Sequence, residues 1–195
     1  MIDRLDAQIS FLSEADKLKS VLRASRLHDA SRFENSAEHS WHVMLYALVL
    51  GDQAGPEVQI NRVLKMLLLH DIVEIDAGDN PIHGQVDAAA QEVAEQLAAD
   101  RIFGLLPPDQ ASEFRALWNE FEAAQTPDAI FAKSIDRVQT PISNMANGGG
   151  SWRDYNVSYD QLEARVGAPV ERGAPKLWAW LKPKLQAYFA KMKRN

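Results

Sequence analysis

Apolar residues recur at intervals of three and four along nearly the whole chain, and runs of strict alternation bounded by two-residue turns are missing. That periodicity predicts an all-α fold. A first helix is expected from Asp3 to about Ala24, followed by a polar loop from His28 to Ser36. Ser36 is placed to cap a second helix, which runs to about Ala54 and stops before Gly55-Pro56. The third begins near Glu57, carries Val63, Leu64, Leu67, Leu68 and Ile72, and ends before Gly78-Asp79-Asn80-Pro81. Further helices are predicted over Val86 to Phe103, Pro108 to Ala124 and Pro127 to Ala146. The run Gly148 to Gly150 reads as an opening that packs no core. A last helical region is expected from Pro169 to Lys193, with Pro183 kinking or dividing it.

The middle of the third helix is apolar almost all round, which marks it as buried on most sides. Charged residues at its end therefore need an explanation. They are His70, Asp71 and Glu74. On an ideal helix these fall within an arc of about 100°, so the three can face one site. Two further polar residues sit on apolar helical faces in the same way: His39, in step with Val43 and Leu50, and Asp136, between Ile135 and Val138. A buried ion pair is the ordinary explanation for one such residue. A divalent cation explains all of them together, because it offsets the cost of taking imidazoles and carboxylates out of water.

Length and composition narrow the chemistry. The 195 residues fit a single domain over 1–195, and 46% hydrophobic with 25% charged residues is the balance of a globule. The net charge of −6 argues against a nucleic-acid polymer as partner. With 0 cysteines, any metal must sit on nitrogen and oxygen ligands. No apolar stretch approaches a bilayer span and the first twenty residues lack a secretory core, so no membrane association and a cytoplasmic location are expected.

The arrangement His39, His70-Asp71 and Asp136, each part on its own helix, resembles the H…HD…D signature of the HD-domain superfamily of metal-dependent phosphohydrolases. The segments Arg32 to His42 and His70 to Asp79 are similar to the branch that contains bacterial 5′-deoxynucleotidases, and the resemblance spans about residues 18–153. It implies a compact helical HD bundle in which His39, His70, Asp71 and Asp136 hold one divalent ion. Two imidazoles and two carboxylates suit Mn, Co, Fe, Ni or Zn, with Mg less favoured. The resemblance further implies that Glu74 accepts the proton of the attacking water, and that Asp79 orients the nucleophile or contacts the sugar beside Asn80. Arg23 would hold the substrate phosphate, with Arg26 the runner-up, since a planar guanidinium pairs with two phosphate oxygens. Where the branch carries a tryptophan after that arginine, this chain has Ala24.

The activity so implied is release of phosphate from (deoxy)nucleoside 5′-monophosphates. The rivals are a phosphodiesterase or nucleotide pyrophosphohydrolase on the same metal, and a non-catalytic nucleotide sensor. A homodimer is implied by resemblance. His42 reads as a packed helix residue, and one metal rather than two is expected despite His83. Lys133 and Arg137 read as a solvated face or ion pairs. The tail Lys191 to Arg194 reads as exposed charge. Trp118, Phe121, Trp178 and Trp180 are core residues by default.

Overall fold

The structure, a computed structural model, describes residues 3–84 and 87–192. Helix α1, Arg4–Ala15, buries Phe11 against Phe103 and Phe114, and its Arg4 pairs with Asp109. It ends nine residues before the expected Ala24. A 3₁₀ turn over Asp16–Ser20 follows, and then a two-stranded antiparallel hairpin of β1, Leu22–Arg26, and β2, Phe33–Asn35. Strand β2 thus takes a third of the expected polar loop, and β1 replaces the end of the expected first helix. Local pattern gives no hint of it, because Leu22, Ala24 and Ser25 have no strong strand preference; what selects the extended form is packing of β1 against the C-terminal half of the chain. The turn is closed by Leu27 N–H donating to Arg32 O and Ala30 N–H to Leu27 O.

Asn35, not Ser36, caps α2, Ser36–Val49. Its side chain accepts from Glu38 N–H, and the Glu38 carboxylate accepts from Asn35 N–H, a reciprocal capping box. This frees Ser36 for another task. The helix stops at Val49, short of Ala54. Helix α3, Ile60–Leu69, starts three residues after Glu57 and buries Val63, Met66, Leu67 and Leu69.

The helix expected to run on until just before Gly78 is interrupted after Leu69. The indole N–H of Trp118 donates to the His70 carbonyl at 3.1 Å, while Glu74 N–H turns to Asp71 O at 2.9 Å. The chain tightens to i→i+3 bonds over residues 69–76 before α4, Glu74–Ala77. Gly78, at φ 74°, then reverses the chain in a conformation that glycine adopts without strain.

Helix α5 is Ala88–Phe103, capped by Asp87; the expected start at Val86 lies outside the described residues. Helix α6 is Pro108–Ala123, and α7, Pro127–Ala146, has the expected bounds. The 20-residue α7 is the spine, packed by α2, α3, α6 and the C-terminal segments. Contrary to expectation, the glycine run does pack. Gly149 is buried at φ 115°, and a side chain there would meet Arg153 and Tyr188. Helices α8, Gly150–Asp154, α9, Tyr159–Leu162, and α10, Ala168–Gly173, follow, with a π turn at Glu163–Gly167. Helix α11, Pro175–Met192, passes through Pro183 undivided. Proline leaves the Ala179 carbonyl without its helical donor, and Ala179 is exposed to water that can replace it. The end of the basic tail, Lys193 and Arg194, lies outside the described residues. Trp118, Phe121 and Trp178 are core residues, as expected, whereas Trp180 is half exposed.

Candidate metal centre

Four elements converge on one cavity of about 190 Å³. His70 and Asp71 line it from the tightened end of α3, Asp136 from α7 and Arg23 from β1, and His39 of α2 stands buried behind Asp136. One donor atom from each of His39, His70 and Asp136 lies within 4.8 Å of the others. His39 Nε2 is 3.0 Å and His70 Nε2 3.7 Å from the same oxygen, Asp136 Oδ1. Asp71 is outside that mutual set. Its Oδ1 lies 2.9 Å from His70 Nε2, but its Oδ2 accepts from Arg23 Nη1 at 3.1 Å and so turns partly away.

The donor set fits a cation on two grounds. His70 Nε2 is buried with no hydrogen-bond partner, although two carboxylates stand beside it. Its other nitrogen, Nδ1, lies 2.8 Å from the Leu67 carbonyl, which fixes the tautomer that leaves Nε2 a lone pair. Nitrogen and oxygen donors of this kind suit first-row divalent ions.

Without that charge, protons take its place. Burial opposes a charged His70, but Asp71 and Asp136 raise it to about 10. Burial and the field of Asp71 push Glu74 up to about 9, against the pull of Arg23. Burial works against a charged Asp71 as well, yet His70, with Arg23 and His39, brings it down to about 2. Asp136 is held well below the usual carboxylate range by His39 and His70, despite its burial.

Ser36 Oγ, released from capping, donates to Glu74 Oε2 at 2.5 Å. Glu74 lines the cavity with Arg23, Asp79, Asn80 and His83. Arg23 is buried among carboxylates: Nη1 lies 3.1 Å from Asp71 Oδ2 and 3.5 Å from Asp79 Oδ1, and Nε 3.6 Å from Glu34 Oε2. Arg26 is elsewhere, its guanidinium over the Phe33 ring at 4.1 Å. Burial, with Arg165 and Arg137, lowers His83 to about 4, so it is neutral at ordinary pH. Lys133 pairs with Glu122 at 2.9 Å and lies over Phe121, while Arg137 approaches Asp136 at 3.8 Å; both line the cavity. His42 is half-buried with Nδ1 3.2 Å from Gln139 Nε2.

The sequence profile of the HD domain family matches residues 15–178. The chain belongs to the HD domain family. A crystal structure of a predicted metal-dependent phosphohydrolase from Magnetospirillum magnetotacticum is 46% identical with a TM-score of 0.90, covering 95% of both chains. The 5′-deoxynucleotidase hdd1 of Schizosaccharomyces pombe is 30% identical over 136 residues, 67% of each chain. The human 5′-deoxynucleotidase HDDC2 is 26% identical over 167 residues, 83% of this chain and 79% of its own.

Two features of this HD domain escaped sequence reasoning. Glu34, 4% exposed, sits between Arg23 and His39. Its signal was the position next to the Asn35 cap, which reads as loop unless the hairpin is known. Ser36 looked like a cap and instead holds Glu74. Among the described residues no helix is long and apolar enough to cross a membrane.

Proposed function

We propose that this HD domain is a metal-dependent phosphomonoesterase that releases phosphate from nucleoside 5′-monophosphates, 2′-deoxy ones among them. The observation that carries the reading is the unpartnered His70 Nε2 facing carboxylates beside His39, in the cavity that Glu74 also lines. The names of the fission-yeast and human relatives support the substrate class.

In this reading His39, His70, Asp71 and Asp136 hold one divalent ion of the Mn, Co, Fe, Ni or Zn type. When bound, the ion supplies Lewis-acid polarisation of the phosphoryl group and acidifies water. Glu74 accepts the proton of the attacking water, with Ser36 holding its Oε2 and fixing the carboxyl's direction. Positive charge nearby is what makes Glu74 a base at neutral pH, since Asp71 and burial otherwise keep it protonated. Arg23, kept charged by Asp71 and Asp79, faces the phosphoryl oxygens. Asp79 and Asn80, which line the cavity, hold the sugar.

A phosphate-release assay over ribo- and deoxynucleoside monophosphates, run with Mn, Co, Zn and Mg after chelation, tests this. Free phosphate with a nucleoside product is expected. A nucleotide product from a larger substrate would favour the diesterase, and tight nucleotide binding without turnover in every metal the sensor. The chain is proposed to act as one domain, in the cytoplasm, as a homodimer. The exposed α2 side chains Trp41, Leu45, Leu48 and Val49 support self-association, which sedimentation checks.

A further inference from the structure

Resting on the metal-centre reading above, we infer that Glu34 is the residue that positions His39 for the cation and ties it to Arg23. Three buried polar atoms without hydrogen-bond partners face one another here: Glu34 Oε2, His39 Nδ1 and Arg23 Nε. The carboxylate oxygen is 3.6 Å from each of the two nitrogens. Its other oxygen, Oε1, accepts from Gln139 Nε2 at 3.0 Å. Buried polar groups are nearly always paired, so three orphans in one place call for a common explanation.

The explanation lies in what each group can donate. Arg23 Nε and Gln139 Nε2 are donors only. His39 Nε2 is the nitrogen nearest Asp136 and within reach of the cation's donor set, so on metal binding Nε2 gives its lone pair and the ring proton must sit on Nδ1. Three donors then converge on Glu34. Only an ionised carboxylate, with two oxygens and no proton, satisfies all of them; an amide would turn its NH₂ toward at least one donor.

His70 has the equivalent support from a backbone carbonyl, Leu67 O at 2.8 Å from Nδ1. The two histidines are therefore oriented by different means, one from the main chain and one from a side chain that also holds Arg23. Glu34 reaches this position because β2 runs directly into the Asn35 cap, which aims residue 34 beneath the first turn of α2. Glu34 does not touch substrate in this account. It acts through His39 and Arg23.

The test compares wild type, Glu34→Ala and the isosteric Glu34→Gln, each metal-stripped and titrated with Co(II). Folding is verified by circular dichroism, and the Gln variant guards against loss of packing. Both variants should bind Co(II) roughly 10 to 100-fold more weakly. In the wild-type Co(II) protein, proton spectra in H₂O should show two paramagnetically shifted, exchangeable imidazole N–H signals. The variants should lose or broaden the His39 signal and keep that of His70, whose carbonyl partner is untouched. Folded variants with unchanged affinity and both signals intact would overturn the role of Glu34 while leaving the metal centre standing. A wild-type protein that binds no Co(II) would overturn the metal centre, and this inference with it.

Discussion

Adding a divalent ion to the metal-stripped protein at pH 7.5 should expel close to two protons for each ion bound. Glu74 is pushed up to about 9 and His70 to about 10 in the metal-free protein. At pH 7.5 such groups are roughly 97% and over about 99% protonated. His70 must give up its proton to offer Nε2 to the ion. Glu74 must give up its own because a dication acts on it with the opposite sign and twice the charge of Asp71, the neighbour whose field raises it. Calorimetric titrations in buffers of differing ionisation enthalpy yield the number from the slope of measured enthalpy against buffer enthalpy. Repeated at pH 10.5, the contribution of Glu74 and His70 falls to roughly 0.3 protons. In Glu74→Gln the count at pH 7.5 should drop by about one. A count near zero at pH 7.5, or one independent of pH, would refute the idea that protons stand where the cation belongs.

The metal-free protein should also lose stability as pH rises. Glu74 and His70 both have folded values above their unfolded ones, so their contribution is fully present below about 4.5 and 6.5 respectively, and is lost as pH climbs through about 9 and 10. Thermal melts of the stripped protein should shift downward between pH 7 and 10, and saturating metal should flatten that dependence. Glu74→Ala should keep its metal content and lose about 10²-fold or more in turnover, measured as phosphate release with the metal content matched. Gly173→Ala should cost about 1–3 kcal/mol in urea unfolding, because a Cβ there falls on Ser134 Oγ and 2.5 Å from the Ile130 carbonyl oxygen, where α10 meets α7.

The histidines and acids of the centre were legible because each breaks an apolar helical face, and an expensive break in a strong pattern stands out. The bounds of α7 were legible for a related reason: Thr126 and Pro127 start it and the glycine run ends it. The hairpin was not legible. Its strands are five and three residues long, with weak intrinsic preference, and the first is packed against α7 and α8, more than a hundred positions later. That miss hid Glu34, since a residue takes its direction from its strand. The break after α3 was invisible for the same kind of reason: it depends on an indole N–H from Trp118, 48 residues downstream. His70, Asp71 and Glu74 nevertheless meet as an unbroken helix would bring them, because the tightened turn keeps the chain's sense of rotation.

The most direct test of the account is anomalous diffraction from crystals soaked in Mn(II). One strong peak is predicted within about 2.0–2.3 Å of nitrogen atoms from His39 and His70 and an oxygen of Asp136, with Asp71 drawn in beside them. Crystals that diffract well and show no peak among those atoms, or a single peak elsewhere, would contradict the claim that these side chains share a cation.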